Sequence, residues 1–372
     1  MKATASRKNL YEGIQIALRA VTGRSSLPIL SNVYIKADKD SGDGKLTLMA
    51  TDLEMGIECS VKANIEEEGT TTVPARVVSE IVASLPECDV ALQTENGGLK
   101  LICEHSDYRI NGLPPDEFPL LPEVDGKARF TIPQHTLRQM IRQTIYAVST
   151  DDTRPILTGV LMVLKENTLK LVATDTHRLC VKTIEITGAE GDAYAIVPSR
   201  AMSELLRILS GEEDKTVTVS ISENQAGFDT DGVHLVSRLI EGQFPNFERV
   251  IPSEHNRTLT LQVDPFQQGV KRASIVARED ANKIVLKTGD GKLTITSESA
   301  QLGQAHEEVD LLKDGEDIEI AFNARYILDT LGAVDSEGVE FRLQGPLNPG
   351  VLKPVDQEDY ICVVMPMQMT PD

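Results

Sequence analysis

Apolar residues recur at the spacing of one helix face in six stretches of the chain. Leu10, Ile14, Leu18 and Val21 keep that spacing near the start, and Leu137, Ile141, Ile145 and Val148 keep it in the middle. DPFQQGVKRASIVA, from Asp264, is a third amphipathic stretch of the same kind. A second trio consists of VPARVVSEIVASL at 73–85, VPSRAMSELLRIL at 197–209 and FNARYILDTLGAV at 322–334. Between these the period shortens. KLTLMATDLEMGIECSV, TLKLVATDTHRLCVKTI and KLTITSESAQLGQAHEEV are β-rich, alternate in part, and are set off by turn signals such as Glu166-Asn167 and Gly289-Asp290-Gly291. Each third of the chain is therefore expected to hold two helices and several short strands, read twice over as helix followed by strands.

The second trio also lines up residue by residue. Each member places an Arg four positions before an acid (Arg76 and Glu80, Arg200 and Glu204, Arg325 and Asp329), at offsets of 124 and then 125 residues. Other landmarks keep nearly the same interval. LPIL at 27–30 answers RPIL at 154–157, ATD at 50–52 answers ATD at 173–175, and EFPLLPEV at 117–124 answers QFPNFERVIP at 243–252. An ordered series of this kind marks a repeat. The expected architecture is α+β, three similar domains in tandem at 1–127, 128–254 and 255–372, each with two helices and antiparallel sheets. The third copy diverges most: TSESA stands in place of ATD, and the chain ends YICVVMPMQMTPD.

Charge complicates the picture. The chain carries a formal net charge of −20, which by itself argues against a polyanionic partner. Yet Lys and Arg outnumber Asp and Glu over the predicted helices, so the remainder is more acidic than the total. Helices often collect cations while loops collect acids. The sharper reading is a shared helical surface facing a polyanion, with the acidic remainder turned away. No stretch approaches the roughly 20 apolar residues of a membrane span and MKATASRKNL lacks a secretory core, so a cytoplasmic protein with no membrane partner is expected. The five cysteines are odd in number, widely spaced and without a C-x-x-C pair, so they read as reduced, mostly buried small hydrophobes rather than a disulfide framework or zinc site.

Asp175, His177 and Arg178 lie within four positions and could be catalytic, or could be the second copy of something structural near residue 50. No glycine-rich phosphate loop, nucleophile elbow or metalloprotease helix accompanies them, and the six histidines form no ligand spacing. No catalytic residue, metal or cofactor is expected. His177 alone reads as a hydrogen-bonded structural histidine, and the C-terminal Val and Met residues as core strand.

Three degenerate domains, LPIL, ATD, ATDTHRL, FPNFERVIP and a terminal VVMPM together closely resemble the bacterial DNA polymerase III beta subunit family, the replication sliding clamps. The resemblance covers the whole chain in order. It implies a head-to-tail ring of two subunits around double-stranded DNA, held without sequence readout, with helices lining the hole and sheets outside. It also implies a non-catalytic processivity factor, cytoplasmic and nucleoid-associated when loaded. An apolar groove would tether short peptides of the polymerase III catalytic subunit, the clamp loader, repair polymerases, a mismatch-repair protein and a ligase.

Carried over position by position, that groove comprises Leu157; Thr174, Thr176, His177, Arg178 and Leu179; Pro245, Arg249 and Val250; Asn323 and Tyr326; Leu347; and Val363, Val364, Met365, Pro366, Met367 and Met369. Met suits a surface that serves several partners. Thr176 stands where the family often has Gly, and Gln368 and Met369 replace a more typical ending. For DNA the resemblance favours Arg24, Arg154 and Arg200, with Arg7, Lys8, Arg138, Arg142, Lys271 and Arg272 beside them; a solvated surface role is the alternative for each. For the subunit joint it favours Phe118 and Leu120 against Ile275 and Val276, with intradomain packing as the alternative. The competing function is a multidomain interaction scaffold that never touches DNA.

Overall fold

The computed structural model describes residues 1–22, 27–39, 44–355 and 357–369. Among them are six α-helices: α1 (Arg7–Leu18), α2 (Ala75–Ser84), α3 (Gln134–Thr144), α4 (Ser199–Ile208), α5 (Val263–Ala277) and α6 (Ala324–Ala333). All six were expected from the apolar spacing, and the ends are where they differ. The Ser6 hydroxyl accepts from the Asn9 N–H at 3.3 Å and starts α1. That helix stops at Leu18, short of Val21. The stretch from Leu137 breaks at Thr144 (φ −122°), where α3 gives way to a separate 3-10 turn, Ile145–Ala147. Ile145 and Val148 therefore continue the apolar rhythm outside the α-helix.

Among the described residues the strands form four antiparallel sheets. A five-stranded sheet runs in the order Asn64–Glu67, Lys2–Ser6, Asp89–Glu95, Gly98–Cys103, Ser106–Ile110. An eight-stranded sheet runs Ala128–Pro133, Thr216–Ile221, Gln225–Thr230, Val233–Arg238, Met55–Lys62, Lys45–Thr51, Asn32–Asp38, Gly69–Pro74. A nine-stranded sheet runs Ala193–Pro198, Gly159–Lys165, Thr168–Thr174, Arg178–Glu185, Tyr360–Val364, Gly350–Pro354, Gly338–Leu343, Arg257–Gln262, Leu312–Asp314. The last has four: Gly303–Asp310, Lys292–Ser299, Lys283–Gly289, Glu319–Asn323.

Two of these sheets run straight through the repeat joints. Met55–Lys62 of the first repeat pairs with Val233–Arg238 of the second, and Arg178–Glu185 of the second pairs with Tyr360–Val364 of the third. Because strands cross both joints, the three repeats group into two compact units. One is Met1–Thr136 with Gly188–Gly191 and Ser203–Leu239; the other is Leu137–Thr187, Asp192–Met202 and Ile240–Asp372. The middle repeat contributes half of its strands to each.

The repeated landmarks supply the cores. In the first unit the 3-10 turn Pro28–Ser31 delivers Ile29 and Leu30 to a buried cluster with Tyr34, Met49 and Phe118. In the second unit the matching turn Pro155–Leu157 delivers Leu157 to a cluster with Leu161, Val172, Leu179, Phe244 and Val363. Proline opens both turns because its fixed φ is already that of a 3-10 start. LPIL, RPIL and the two FP pairs thus recur because each folds the same buried corner.

One expectation is corrected. Cys88 and Cys103 are joined by a disulfide, whereas Cys59, Cys180 and Cys362 are free and buried. The spacing looked too wide for a bridge, but Asp89–Glu95 and Gly98–Cys103 form a tight hairpin in which Ala91 faces Ile102. Cys88 lies just before its first strand and Cys103 at the end of its second, so the hairpin brings together what the sequence separates.

Candidate functional site

The ATD turn of the second unit is built by its own side chains. Thr174 Oγ1 donates to Arg178 O at 2.7 Å and accepts from Thr176 N at 3.1 Å, while Asp175 Oδ1 accepts from the backbone N–H groups of His177 and Arg178 at 2.9 and 3.0 Å. Thr176 sits in the left-handed region at φ 78°. The first unit repeats the construction atom for atom. Thr51 Oγ1 donates to Met55 O and accepts from Leu53 N, Asp52 Oδ1 accepts from Glu54 N and Met55 N, and Leu53 has φ 76°. The triplet is therefore a turn device: the hydroxyl and carboxylate satisfy backbone groups that a tight reversal leaves without partners.

Beyond the turn the two units part. Arg178 is buried, its side chain 8% exposed, and it donates to Asp175 at 3.1 Å, to Asp329 of α6 at 2.6 Å and to Tyr146 O at 2.5 Å. Its guanidinium also lies 4.7 Å from the Tyr326 ring centroid. Burial works against its charge, but Asp329 and Asp175 more than offset this and hold its pKa above the ordinary value. The Arg178 guanidinium, paired with both carboxylates, therefore fixes the turn to α6. His177 is exposed and its ring stacks on that of Tyr326, centroids 6.3 Å apart.

Beside this turn opens an apolar cavity of about 160 Å³, lined by Thr174, Thr176, Arg178, Leu179, Pro245, Phe247, Val250, Val363 and Met365. Leu179 and Val363 face each other across the strand pair and form its floor, while Met365 is tied to the turn by its N–H to His177 O at 2.8 Å. Eight of the nine were expected. The ninth, Phe247, lies on the 3-10 turn Phe247–Val250; its signal was the repeat itself, since it occupies the place of Leu121 in EFPLLPEV.

The remaining expected residues do not line the cavity. Leu157 is buried in the apolar cluster with Leu179 and Val363. Val364 is fully buried and pairs with Arg178 on the adjacent strand. Asn323 caps α6, accepting from Arg325 N at 3.0 Å, and Met367 N–H bonds Ala321 O at 2.8 Å, so the tail beyond Met365, including the half-buried Pro366, runs beside the strand Glu319–Asn323 that leads into that helix. Arg249 is exposed next to Val250. Met369 lines a separate polar hollow with Lys283, Glu298 and Glu319, and Leu347, 73% exposed, lines neither.

Family profiles described as DNA polymerase III beta subunit match the chain in three consecutive pieces: the N-terminal domain over 1–122, the central domain over 131–246 and the C-terminal domain over 248–368. The chain belongs to the DNA polymerase III beta subunit family. It is 33% identical to the beta sliding clamp of Staphylococcus aureus over 379 residues, covering 99% of both chains. The solved sliding clamp of Bacillus subtilis superimposes with a TM-score of 0.94 at 29% identity, covering 99% of each chain. A sliding clamp of Pseudomonas aeruginosa bound to griselimycin gives 0.94 at 31% identity, covering 99% of this chain and all of that one. The family is that of the sliding clamp, a non-catalytic processivity subunit of a DNA polymerase, and this chain carries its three tandem domains.

The cations expected to face DNA and the residues expected at a subunit joint sort into distinct environments. Arg24 lies outside the described residues. Arg154, exposed, opens the 3-10 turn Pro155–Leu157 and pairs with Asp151 at 3.1 Å. Arg200 is exposed in the first turn of α4, whose start is set beside Arg154's turn by Ser199 N–H to Thr158 O at 3.2 Å. Lys8, Arg138 and Lys271 are exposed and make no ion pair among the described residues. Arg7, Arg142 and Arg272 are internal ties: Arg7 bonds Glu87 and the carbonyls of Val82 and Ala83, Arg142 pairs with Asp335, and Arg272 grips Glu307 with two bonds. Phe118 is buried and stacks on Tyr34 with centroids 5.2 Å apart, whereas Leu120 and Ile275 are 65% and 55% exposed and Val276 is half-buried.

Proposed function

We propose that this chain acts as a replication sliding clamp: two copies close head-to-tail into a ring around duplex DNA, and the cavity beside the second ATD turn tethers partner peptides. The observation that carries the tethering is the cavity itself. Its wall is almost wholly apolar, it is open at the surface, and its floor is held by a sheet rather than by loops. A leucine or phenylalanine side chain seated there would contribute about 1.5–3 kcal/mol. A peptide offering two such anchors would bind usefully without a large interface. Expected partners are the polymerase III catalytic subunit, the clamp loader and repair proteins.

Ring closure calls for complementary ends. The five-stranded sheet ends at Ser106–Ile110 and the four-stranded sheet at Gly303–Asp310, each with an edge unpaired among the described residues. Such edges favour pairing with another strand, and a heterologous contact makes a ring when its rotation closes. Leu120, Ile275 and Val276 supply apolar contacts to the same joint, while Phe118 packs on Tyr34 within its own repeat. We place the domains at 1–127, 128–254 and 255–372. Arg154 and Arg200 contact the phosphate backbone without reading bases. The loaded ring is nucleoid-associated in the cytoplasm.

The experiment has two arms. Sedimentation of the pure protein is expected to give two chains per particle. A loaded ring is expected to stay on closed circular duplex and to run off once the circle is cut; equal retention on both forms overturns encirclement and leaves an interaction scaffold. Deleting Met365 through Asp372 is expected to abolish polymerase stimulation while leaving the dimer intact.

A further inference from the structure

Side chains alternate across a sheet, so the strand pair that floors the cavity with Leu179 and Val363 turns Cys180 and Cys362 to its other face. These two cysteines are direct register partners on Arg178–Glu185 and Tyr360–Val364, and their Sγ atoms are 2.8 Å apart. Both are fully buried in a closed polar knot. Cys180 Sγ donates to Tyr146 Oη at 2.9 Å, Tyr146 and Tyr360 share a hydrogen bond at 2.7 Å, and Thr330 Oγ1 lies 3.1 Å from Cys362 Sγ. Neither the cavity nor the ring requires them.

We propose that Cys180 and Cys362 are a site of oxidative modification, converted by a hydroperoxide to a disulfide that staples the second repeat to the third. Facing residues of an antiparallel pair have Cα atoms about 4.5–5.5 Å apart, inside the range of roughly 4.4–6.8 Å that a disulfide spans, so the bond needs no rearrangement of the strands. In the first step one sulfur attacks the peroxide: an S–O bond forms, the O–O bond breaks, and water leaves with the thiol proton, giving a sulfenic acid. In the second the facing sulfur attacks that sulfur, the S–O bond breaks, and a second water leaves with the proton of the facing thiol. Two thiols and one hydrogen peroxide give one disulfide and two waters. Hydrogen peroxide is small and uncharged, as the burial of the pair demands.

The two sulfurs are not equivalent. Burial pushes both thiols up, but hydrogen bonds from Cys180, Thr330 and Tyr146 bring Cys362 below its ordinary value while Cys180 stays raised. The thiolate is the reactive form, and the disulfide is the same whichever of the two facing sulfurs attacks first. Cys59 offers a contrast: it is single, bonded to Gly13 O at 3.2 Å, and pushed up to about 12 by burial.

The test is peptide mapping of the intact full-length protein after exposure to hydrogen peroxide, alkylated under denaturant without reductant. The peptides holding Cys180 and Cys362 are expected as one linked species, lighter by two hydrogens than their sum and separated by dithiothreitol, with two titratable thiols lost per chain. In Cys180→Ser that loss of two is expected to vanish. Recovery of the two peptides apart, as free thiols or with oxygen added to one sulfur, overturns the proposal, and so does a loss of two thiols that persists in Cys180→Ser. A link between strands so distant in sequence is also expected to raise the unfolding midpoint reversibly with reductant; an unchanged midpoint in a chain shown to be linked overturns the staple.

Discussion

The turns after Ala50 and Ala173 share the four hydrogen bonds that their Thr and Asp side chains make to the turn backbone, a left-handed residue at the same place and the same strand register, yet one leads to an open cavity and the other to a nearly closed surface. In the second unit Leu179 floors a hollow of about 160 Å³. In the first, Gly56 stands in its place, and a β-carbon built there would lie 2.0 Å from Leu121 Cδ2. Leu121 fills the space that the second unit leaves open, and a residual pocket of about 90 Å³ remains beside Leu53, Pro119 and Val236. The charges were redeployed as well. Met55 replaces Arg178, and Glu204, the counterpart of Asp329, is held by Arg19 and Arg207 instead. A turn motif therefore fixes where a site can be, while the residue beyond it and the segment that crosses it decide whether a site exists.

Replacing the charged member of the second turn is expected to have the largest effect. Arg178→Met, which copies the first turn, leaves Asp175 and Asp329 without their shared cation and is expected to cost roughly 3 kcal/mol in denaturant unfolding; a loss below about 1 kcal/mol would show that the ionic tie is dispensable. Gly56→Leu brings the second unit's floor into the first and is expected to cost about 1–3 kcal/mol through overpacking. Adding Leu121→Ala should then restore part of that loss, because the two changes share one space. Strictly additive costs would mean that Leu121 is not the plug.

Thr51→Val and Thr174→Val remove the same pair of hydrogen bonds from the two turns, and each is expected to cost about 1 kcal/mol. A large difference between them would break the equivalence. The smallest change is a gain. Thr176→Gly relieves a left-handed backbone that costs a β-carbon-bearing residue about 1 kcal/mol, so a small rise in the thermal midpoint is expected, and Leu53→Gly should give a similar one.

Much of this was legible before any coordinates. The repeated helices announced themselves by apolar spacing, and the FP and PIL landmarks marked the corners of two cores, because a buried corner tolerates few alternatives. The cavity could be assigned only in part. Phe247 is the counterpart of Leu121 in the repeat, but only the folded turn Phe247–Val250 sets it against the cavity. Leu347 and Met369 shared the composition of the groove but not its place. The Cys88–Cys103 bridge went unread because separation along the chain says little once a hairpin folds it back.

The sequence by itself determined the threefold α+β repeat, the positions of the six helices and the reuse of one turn, since each depends on local periodicity and on side chains bonding their own backbone. Only the tertiary structure decided that sheets run through two of the joints, that Arg7, Arg142 and Arg272 are internal ties rather than open cations, and that one of two equivalent corners stays hollow. Those outcomes depend on which distant side chain reaches a given space first, and no local pattern encodes that.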